Sequence, residues 1–525
     1  MRLASASRPD LQSLRWRAGH TLAARGRLAI LCATALLVSL ALPWGFAGWD
    51  DLHYLQAAQR WLAIGVHVPA DHWATRLPYV LTIALSLRLF GLSVLALSVP
   101  NSVCFLLILV LLWRIGDRIF GERAAFWTAF AAASTPLLLR MPSTFYPEVM
   151  EVALGAGATA LVLAALRTAR APAGWLLFAA GLAGGLSILV RQTSIALAPA
   201  LALLVMLEAA GERRRAVRQV CVLACGFAIP VLFEMLFYLV LTGHPLDRLR
   251  IDSTHVLVPS VHLRGGTFHG FPLFNWQLAA RWDVPSMIDV HWTVNPLLRL
   301  FTSPGLLLTP VLCVAGGVLA MRAGRGLPRN YTLFALSAVL LQYVVNTFVL
   351  VIAPDTRYML QSLALCLPLA GLLLARLTVR TRLLTAGLAM ALPCIAALAV
   401  EPSPAHLLPA LEKLAGRGVP IHVSINMREA AYIATGNSAS LDKALVLFTS
   451  SDTVPVGSLA VIDPYGAASL SDRCASGPLR WQPVERTAPL VGQWNVAPLL
   501  AGLPAGIARR LEARAHRLVL VRRVC

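Results

Sequence analysis

Apolar runs of about 20 residues recur along the chain, and short arginine clusters separate them. Few folds tolerate that pattern. A run of this length is at home as a helix across a lipid bilayer, where every backbone group must be paired internally. Hydrophobic residues make up 58% and charged residues 13% of the chain, and the mean hydropathy is +0.70. The net charge of +20 is no nucleic-acid patch, because its arginines sit between hydrophobic runs in the positive-inside pattern. Lys413 and Lys443 are the only lysines. The Ala-, Leu- and Arg-rich composition suits a bacterial inner membrane protein from a GC-rich genome.

The expected fold class is mostly α: a polytopic protein with about 11 transmembrane helices plus juxtamembrane helices. Spans are expected at 28–47, 97–113, 124–140, 149–166, 172–190, 193–210, 219–241, 303–321, 331–352, 358–375 and 383–400. The basic N-terminus, residues 1–27, reads as cytoplasmic ahead of a retained signal anchor; a cleaved signal peptide is the alternative. Every loop then assigned to the inside is basic: Arg114, Arg118 and Arg123; Arg167 and Arg170; Arg213 to Arg218; Arg322, Arg325 and Arg329; Arg376, Arg380 and Arg382. The stretch from Pro78 to Leu97 reads as a juxtamembrane or re-entrant helix, because a further span there would place Arg114 to Arg123 outside.

Three regions fall outside. Loop 48–96 carries Asp50 and Asp51 and an amphipathic helix at 52–64, suited to the membrane interface. Loop 243–301 is rich in Trp, His and Pro. Residues 401–525 are far more polar, with strand-like runs at Val419–Val423, Ala444–Phe448, Leu459–Ile462 and Leu518–Val521 and helix-like runs at Arg428–Thr435 and Gly506–His516. They read as a small extracytoplasmic α/β domain, periplasmic or extracellular. Seven of nine cysteines fall in spans and pack there. Cys474 and Cys525 are the two in the outer domain, and a disulfide between them is expected in an oxidising compartment.

Charges beside lipid are costly and mark function. Asp50 and Asp51 adjoin the first span; one of them is explained by helix capping, the second is not. Arg76-Leu77-Pro78 closes the same loop, with a guanidinium fork suited to phosphate oxygens or to interfacial anchoring. Arg140, Tyr146, Glu148 and Glu151 gather at the next outward turn. Arg191-Gln192 and Arg357-Tyr358 place positive charge on the outer side, against the bias; a salt bridge from Arg357 to Asp355 is one reason, and a lipid-phosphate contact is the alternative. The histidines at 244, 255, 262, 269 and 291 have no metal-ligand spacing. There is no Walker A loop, G-x-G-x-x-G or G-x-S-x-G motif.

In order and topology these residues resemble the GT-C superfamily of membrane glycosyltransferases, in the group of lipid A aminoarabinose transferase and protein O-mannosyltransferase. The matching features are Asp50-Asp51 with Tyr54 three residues on, Arg76-Leu77-Pro78 before a helix ending in Phe90-Gly91, and Glu148 after the third span. The run from Gly181 to Arg191, Tyr238 with Thr242-Gly243-His244-Pro245-Leu246, and Arg357-Tyr358 follow. The resemblance covers residues 28–400. Asp51 stands for a commoner Glu, Arg76-Leu77 for Lys-Pro, and His244 for Asp.

The resemblance implies transfer of a sugar from a polyprenyl-phosphate donor to a hydroxyl of a cell-envelope acceptor (lipid, glycan or protein), with inversion. Asp50 would be the general base. Asp51 and Glu148 would orient acceptor or sugar, or hold the arginines. Arg76, Arg191 and Arg357 would stabilise the departing phosphate, with Tyr54 and Tyr358 in the same substrate site. No cofactor is implied, and a divalent metal is needed less than with a nucleotide diphosphate donor. A transporter or lipid flippase, or a non-catalytic envelope assembly subunit, are the alternatives.

Overall fold

In the computed structural model the apolar runs form helices packed side by side. The structure describes residues 11–41, 50–167, 172–253 except 210, 293–350 except 304 and 325, and 355–382, with shorter stretches between 263 and 291 and between 384 and 525. The helices are α1 (Leu11–Ala41), α2 (Asp50–Ile64), α3 (Leu77–Phe90), α4 (Val94–Phe120), α5 (Glu122–Ser134), α6 (Pro136–Leu139), α7 (Glu148–Arg167) and α8 (Pro172–Val190). They continue with α9 (Leu197–Glu208), α10 (Arg213–Thr242), α11 (Asp247–Ser253), α12 (Asn295–Thr302), α13 (Thr309–Arg322), α14 (Leu327–Val344) and α15 (Leu360–Arg376).

Among the described residues six helical stretches are long and apolar enough to cross a bilayer: Ala96–Phe120, Glu148–Arg167, Ala173–Val190, Arg213–Thr242, Leu327–Val349 and Thr356–Arg376. The chain is a multi-pass membrane protein. The spans expected at 124–140, 193–210 and 303–321 coincide with shorter helices, and local chemistry explains two of them. Pro136 forces Thr135 into an extended conformation and separates α5 from α6. Pro310 opens α13, 14 residues long. The expected span at 383–400 lies almost wholly outside the described residues. Helix α3, with 14 residues, extends about 21 Å, short of a bilayer core. It stops at Gly91, whose φ of 69° few other residues adopt.

Close backbone contact fixes the bundle. Helix α8 lies between α7 and α10. A Cβ on Gly181 would sit 2.2 Å from the Leu223 carbonyl oxygen and 2.7 Å from the Gly226 Cα. The glycine run thus lets α8 and α10 touch backbone to backbone, as small residues do between membrane helices. Gly155 similarly clears the space that the Gln361 side chain fills. From there Gln361 donates to the Glu151 carbonyl (3.0 Å) and the Ser187 hydroxyl (2.8 Å), joining α15, α7 and α8.

Strands β1 (Leu263–Arg264), β2 (Ala279–Arg281) and β3 (Asp289–His291) form a small antiparallel sheet. The C-terminal region contains β4 (Ile421–Val423), β5 (Leu445–Leu447), β6 (Leu459–Ile462), β7 (Trp481–Arg486), β8 (Leu490–Val491), β9 (Trp494–Asn495) and β10 (Val519–Arg523), with α16 (Ala505–Glu512) before the last strand. Five of these strands form one sheet in the order β5-β4-β6-β10-β7, parallel across β5, β4 and β6 and antiparallel at β10. Each of the four strand-like runs read from the sequence supplies a strand. The fifth, β7, contains Pro483 and two charges; it occupies a sheet edge, where a missing N–H does no harm. Cys474 and Cys525 are joined by a disulfide beside this edge. Most of the helix-like run 428–435 lies outside the described residues.

Candidate active site

Helices α7 and α15 start at the end of the bundle where α8, α10 and α14 finish. The basic residues at the far ends, Arg118, Arg167, Arg213 and Arg376 among them, lie at the opposite end. Asp50, Glu148, Glu151, Arg191, Asp355 and Arg357, all named from the sequence, meet at the first end, with Arg76 beside them.

Helix α2 begins at Asp50, two residues earlier than read from the sequence, so both aspartates lie in its first turn. Carboxylates are favoured there by the helix dipole. The two differ in access. The Asp50 side chain is 31% exposed, whereas Asp51 is 2% exposed. Asp50 accepts a hydrogen bond from the Trp73 indole N–H (2.9 Å) and lies 3.5 Å from the Arg357 guanidinium. Burial alone would raise the Asp50 carboxyl. The Arg357 and Arg76 guanidiniums and the Trp73 bond outweigh it and hold the group below the usual carboxylate range.

Arg357 sits in a 3₁₀ turn, Thr356–Met359, capped by Asp355, which accepts the Arg357 backbone N–H (2.9 Å). Its guanidinium joins three carboxylates: Asp355 at 3.1 Å, Asp50 at 3.5 Å and Glu148 at 3.8 Å. The local pair with Asp355 expected from the sequence is therefore one part of a wider junction. Asn346, on the π-helical turn that ends α14, donates to the Tyr358 carbonyl (2.9 Å) and holds this turn in place.

Glu148 begins α7 and is buried. Asn101 of α4 donates to the Thr144 carbonyl and fixes the approach to it. Arg191, just beyond α8, donates to Glu148 and stacks 4.4 Å from the centre of the Tyr358 ring. Glu151, one turn further, accepts from Thr193 (2.7 Å) and Ser194 (2.8 Å) and lies 3.9 Å from Arg191. These partners offset part of the cost of its burial.

Arg76 stands apart. Among the described residues no carboxylate lies within ion-pair distance of it. Its guanidinium rests 5.4 Å from the centre of the Tyr54 ring, which is wholly buried and packs edge-on against Tyr79. Burial and the nearby Arg191 charge push the Arg76 guanidinium down to about 10, against the pull of Glu148 and Asp50. It stays charged at neutral pH and has donors to spare. Among the described residues no three His, Cys, Asp or Glu side chains converge as a metal site would require.

Comparison with known proteins bears on this arrangement. A family model for dolichyl-phosphate-mannose-protein mannosyltransferase matches residues 77–238, the stretch that holds Glu148 and Arg191. No curated protein sequence matches the chain. Among solved structures, ArnT from Cupriavidus metallidurans in the apo state superposes with a TM-score of 0.56 at 16% identity, covering 84% of this chain and 94% of that one. The apo oligosaccharyltransferase of Archaeoglobus fulgidus gives 0.53 at 13%, covering 84% and 69%. The chain has the GT-C fold.

Within this GT-C fold a second buried ion group lies beside the first, and reading the sequence missed it. Glu234, within the apolar run of α10, accepts from Arg248 at 2.8 Å through both oxygens. Arg248 also contacts Asp252 (3.4 Å). A carboxylate amid so many apolar residues is itself the signal, since it demands a partner. Trp73, Asn346 and Gln361 were missed too; no charge or motif distinguishes them. In the GT-C fold the arrangement offers two partly exposed carboxylates, Asp50 and Asp355, with Arg357 between them and Arg76 and Arg191 in the same cluster. It can take a proton from a hydroxyl and neutralise an anion.

Proposed function

We propose that this protein is a membrane glycosyltransferase that transfers a sugar from a polyprenyl-phosphate donor to an acceptor hydroxyl, with inversion. The observation that carries the reading is the partly exposed Asp50 carboxylate 3.5 Å from Arg357, in one cluster with Arg191 and with Arg76, which has no ion pair among the described residues. The matched family is named for a dolichyl-phosphate sugar donor, which supports the donor class and leaves the acceptor open. Asp50 takes the acceptor hydroxyl proton as the oxygen attacks the anomeric carbon. The new bond forms on the face opposite the lipid phosphate, and the bond from carbon to phosphate oxygen breaks. The phosphate leaves with the electron pair and gains a negative charge, which Arg76, Arg191 and Arg357 neutralise. Glu148 holds Arg191 and Arg357 in place, and Asp51 braces α2 from inside.

The reading places the site on the outer face of a bacterial inner membrane, with the N-terminus cytoplasmic and residues 401–525 outside as a separate domain. The arginine-rich rim opposite the site supports that orientation. Arginine does here what a divalent cation does for diphosphate donors, so transfer proceeds in EDTA; complete loss restored by a cation refutes this point. The central test is sugar transfer in reconstituted membranes with a panel of labelled polyprenyl-phosphate sugars and envelope extract. Wild type transfers label and Asp50→Asn, at matched folded yield, does not. Equal transfer by both removes Asp50 from the mechanism.

A further inference from the structure

Arg76 and Arg191 are linked, through their chain neighbours, by a residue outside the cluster. Arg76 follows Thr75, and Arg191 precedes Gln192. The Thr75 hydroxyl, which also reaches the His72 carbonyl (2.8 Å), lies 2.9 Å from one oxygen of Asp252. The Gln192 amide donates to the other oxygen. Asp252 thus grips the immediate neighbour of each arginine with one carboxylate oxygen apiece.

Asp252 is itself immobilised. It is on α11, the short helix after the α10 turn, and Arg248 one turn earlier contacts it at 3.4 Å. Arg248 is fixed by Glu234 at 2.8 Å and donates to the Leu189 carbonyl (3.2 Å) near the end of α8. Charge-assisted bonds of this kind are strong when shielded from water. The chain of contacts runs from α10 through Arg248 and Asp252 to both phosphate-facing segments. Among the described residues, Asp252, Arg248 and Glu234 form no ion pair with Asp50, Glu148 or Arg357.

We infer that Asp252 is a positioning residue for the donor phosphate: it joins the Thr75–Arg76 turn to the Arg191–Gln192 segment and sets the separation of their guanidiniums. The inference rests on the proposed role of Arg76 and Arg191 in holding a polyprenyl phosphate. It adds that the start of the long loop after α10 governs how tightly that phosphate is held. A mere folding brace makes a different forecast. Losing a brace lowers the amount of folded protein and leaves the affinity of the folded fraction unchanged.

The test measures binding of undecaprenyl phosphate, without sugar, to the full chain in nanodiscs by native mass spectrometry. Wild type, Asp252→Ala, Thr75→Val, Arg76→Gln and the double variant Asp252→Ala/Arg76→Gln are compared. Asp252→Ala leaves Arg248 bound to Glu234, so no buried charge is stranded, and Thr75→Val removes one hydroxyl only. Asp252→Ala and Arg76→Gln each weaken binding about tenfold, and Thr75→Val about threefold. The double variant loses less than the product of the two, because part of the Asp252 effect is exerted on the Arg76 guanidinium. Binding of Asp252→Ala at wild-type affinity, with or without a lower folded yield, overturns the inference while the Arg76 reading stands. Fully independent effects overturn it as well. If Arg76→Gln binds as wild type does, or wild type does not bind, the phosphate reading of the site has failed and the inference falls with it.

Discussion

Replacing Trp73 with Phe removes one hydrogen bond from Asp50 and little else. The Phe ring keeps the stacking position between His53 and His72, whose ring centres lie 3.9 Å and 3.7 Å from that of Trp73. The lost bond runs from an indole N–H to a carboxylate at 2.9 Å. Hydrogen bonds to charged groups contribute about 1.5–3 kcal/mol. Asp50 is 31% exposed, so water replaces part of the loss and the lower end, about 1.5 kcal/mol, applies. The sign follows from which form the donor favours. Trp73 stabilises the carboxylate alone, so its removal raises the Asp50 pKa, and the base protonates sooner as pH falls. On the acid limb of the kcat/KM profile the variant therefore runs about tenfold slower than wild type, since 1.4 kcal/mol corresponds to a factor of ten. Well above that limb the two converge, and a stronger base leaves the rate equal or slightly higher. The assay is initial rate against pH at a donor concentration below KM, with folded protein matched by gel filtration. An acid limb that coincides with the wild-type one refutes the reasoning: either Asp50 is not the titrating base, or Trp73 does not tune it.

Three other outcomes are expected. Asp51→Asn retains transfer within about tenfold and costs about 1 kcal/mol of stability, the dipole share of a first-turn carboxylate, whereas Asp50→Asn loses about 10²- to 10⁴-fold; initial rates and thermal melts of the two variants separate the roles. Gly181→Leu forces α8 from α10, since even its Cβ would lie 2.2 Å from the Leu223 carbonyl; a loss of about 3 kcal/mol or more appears as a lower melting temperature in detergent, with transfer reduced through Arg191. Cys474→Ser opens a loop of 51 residues, and chain entropy sets the loss at about 4 kcal/mol in the C-terminal sheet; limited proteolysis of that region, compared with wild type, measures it.

Apolar run length marked the places of the helices, and charge at the rim of those runs marked Asp50, Arg76, Glu148, Arg191 and Arg357. Both signals follow from one cost, that of a polar group next to lipid. The partners are another matter, and Arg357 shows why. Its contact with Asp355, two residues away, was legible because a short turn admits few geometries. Its contacts with Asp50 and Glu148 depend on where α2 and α7 begin in space, which neighbouring residues do not specify. Glu234 makes the same point from the opposite direction. Its cost was visible amid α10, yet its partner Arg248 lies beyond the turn at Gly243, whose φ of 78° redirects the chain. Gln361 carried no visible cost at all, since an uncharged amide within a leucine-rich helix is common. Its importance appears only when Gly155 leaves the space and Glu151 and Ser187 supply the acceptors. A sequence of this kind thus reveals which groups need compensation; which groups provide it is decided by helix packing, and here that packing is set by glycines at the contacts of α8 with α10 and of α7 with α15.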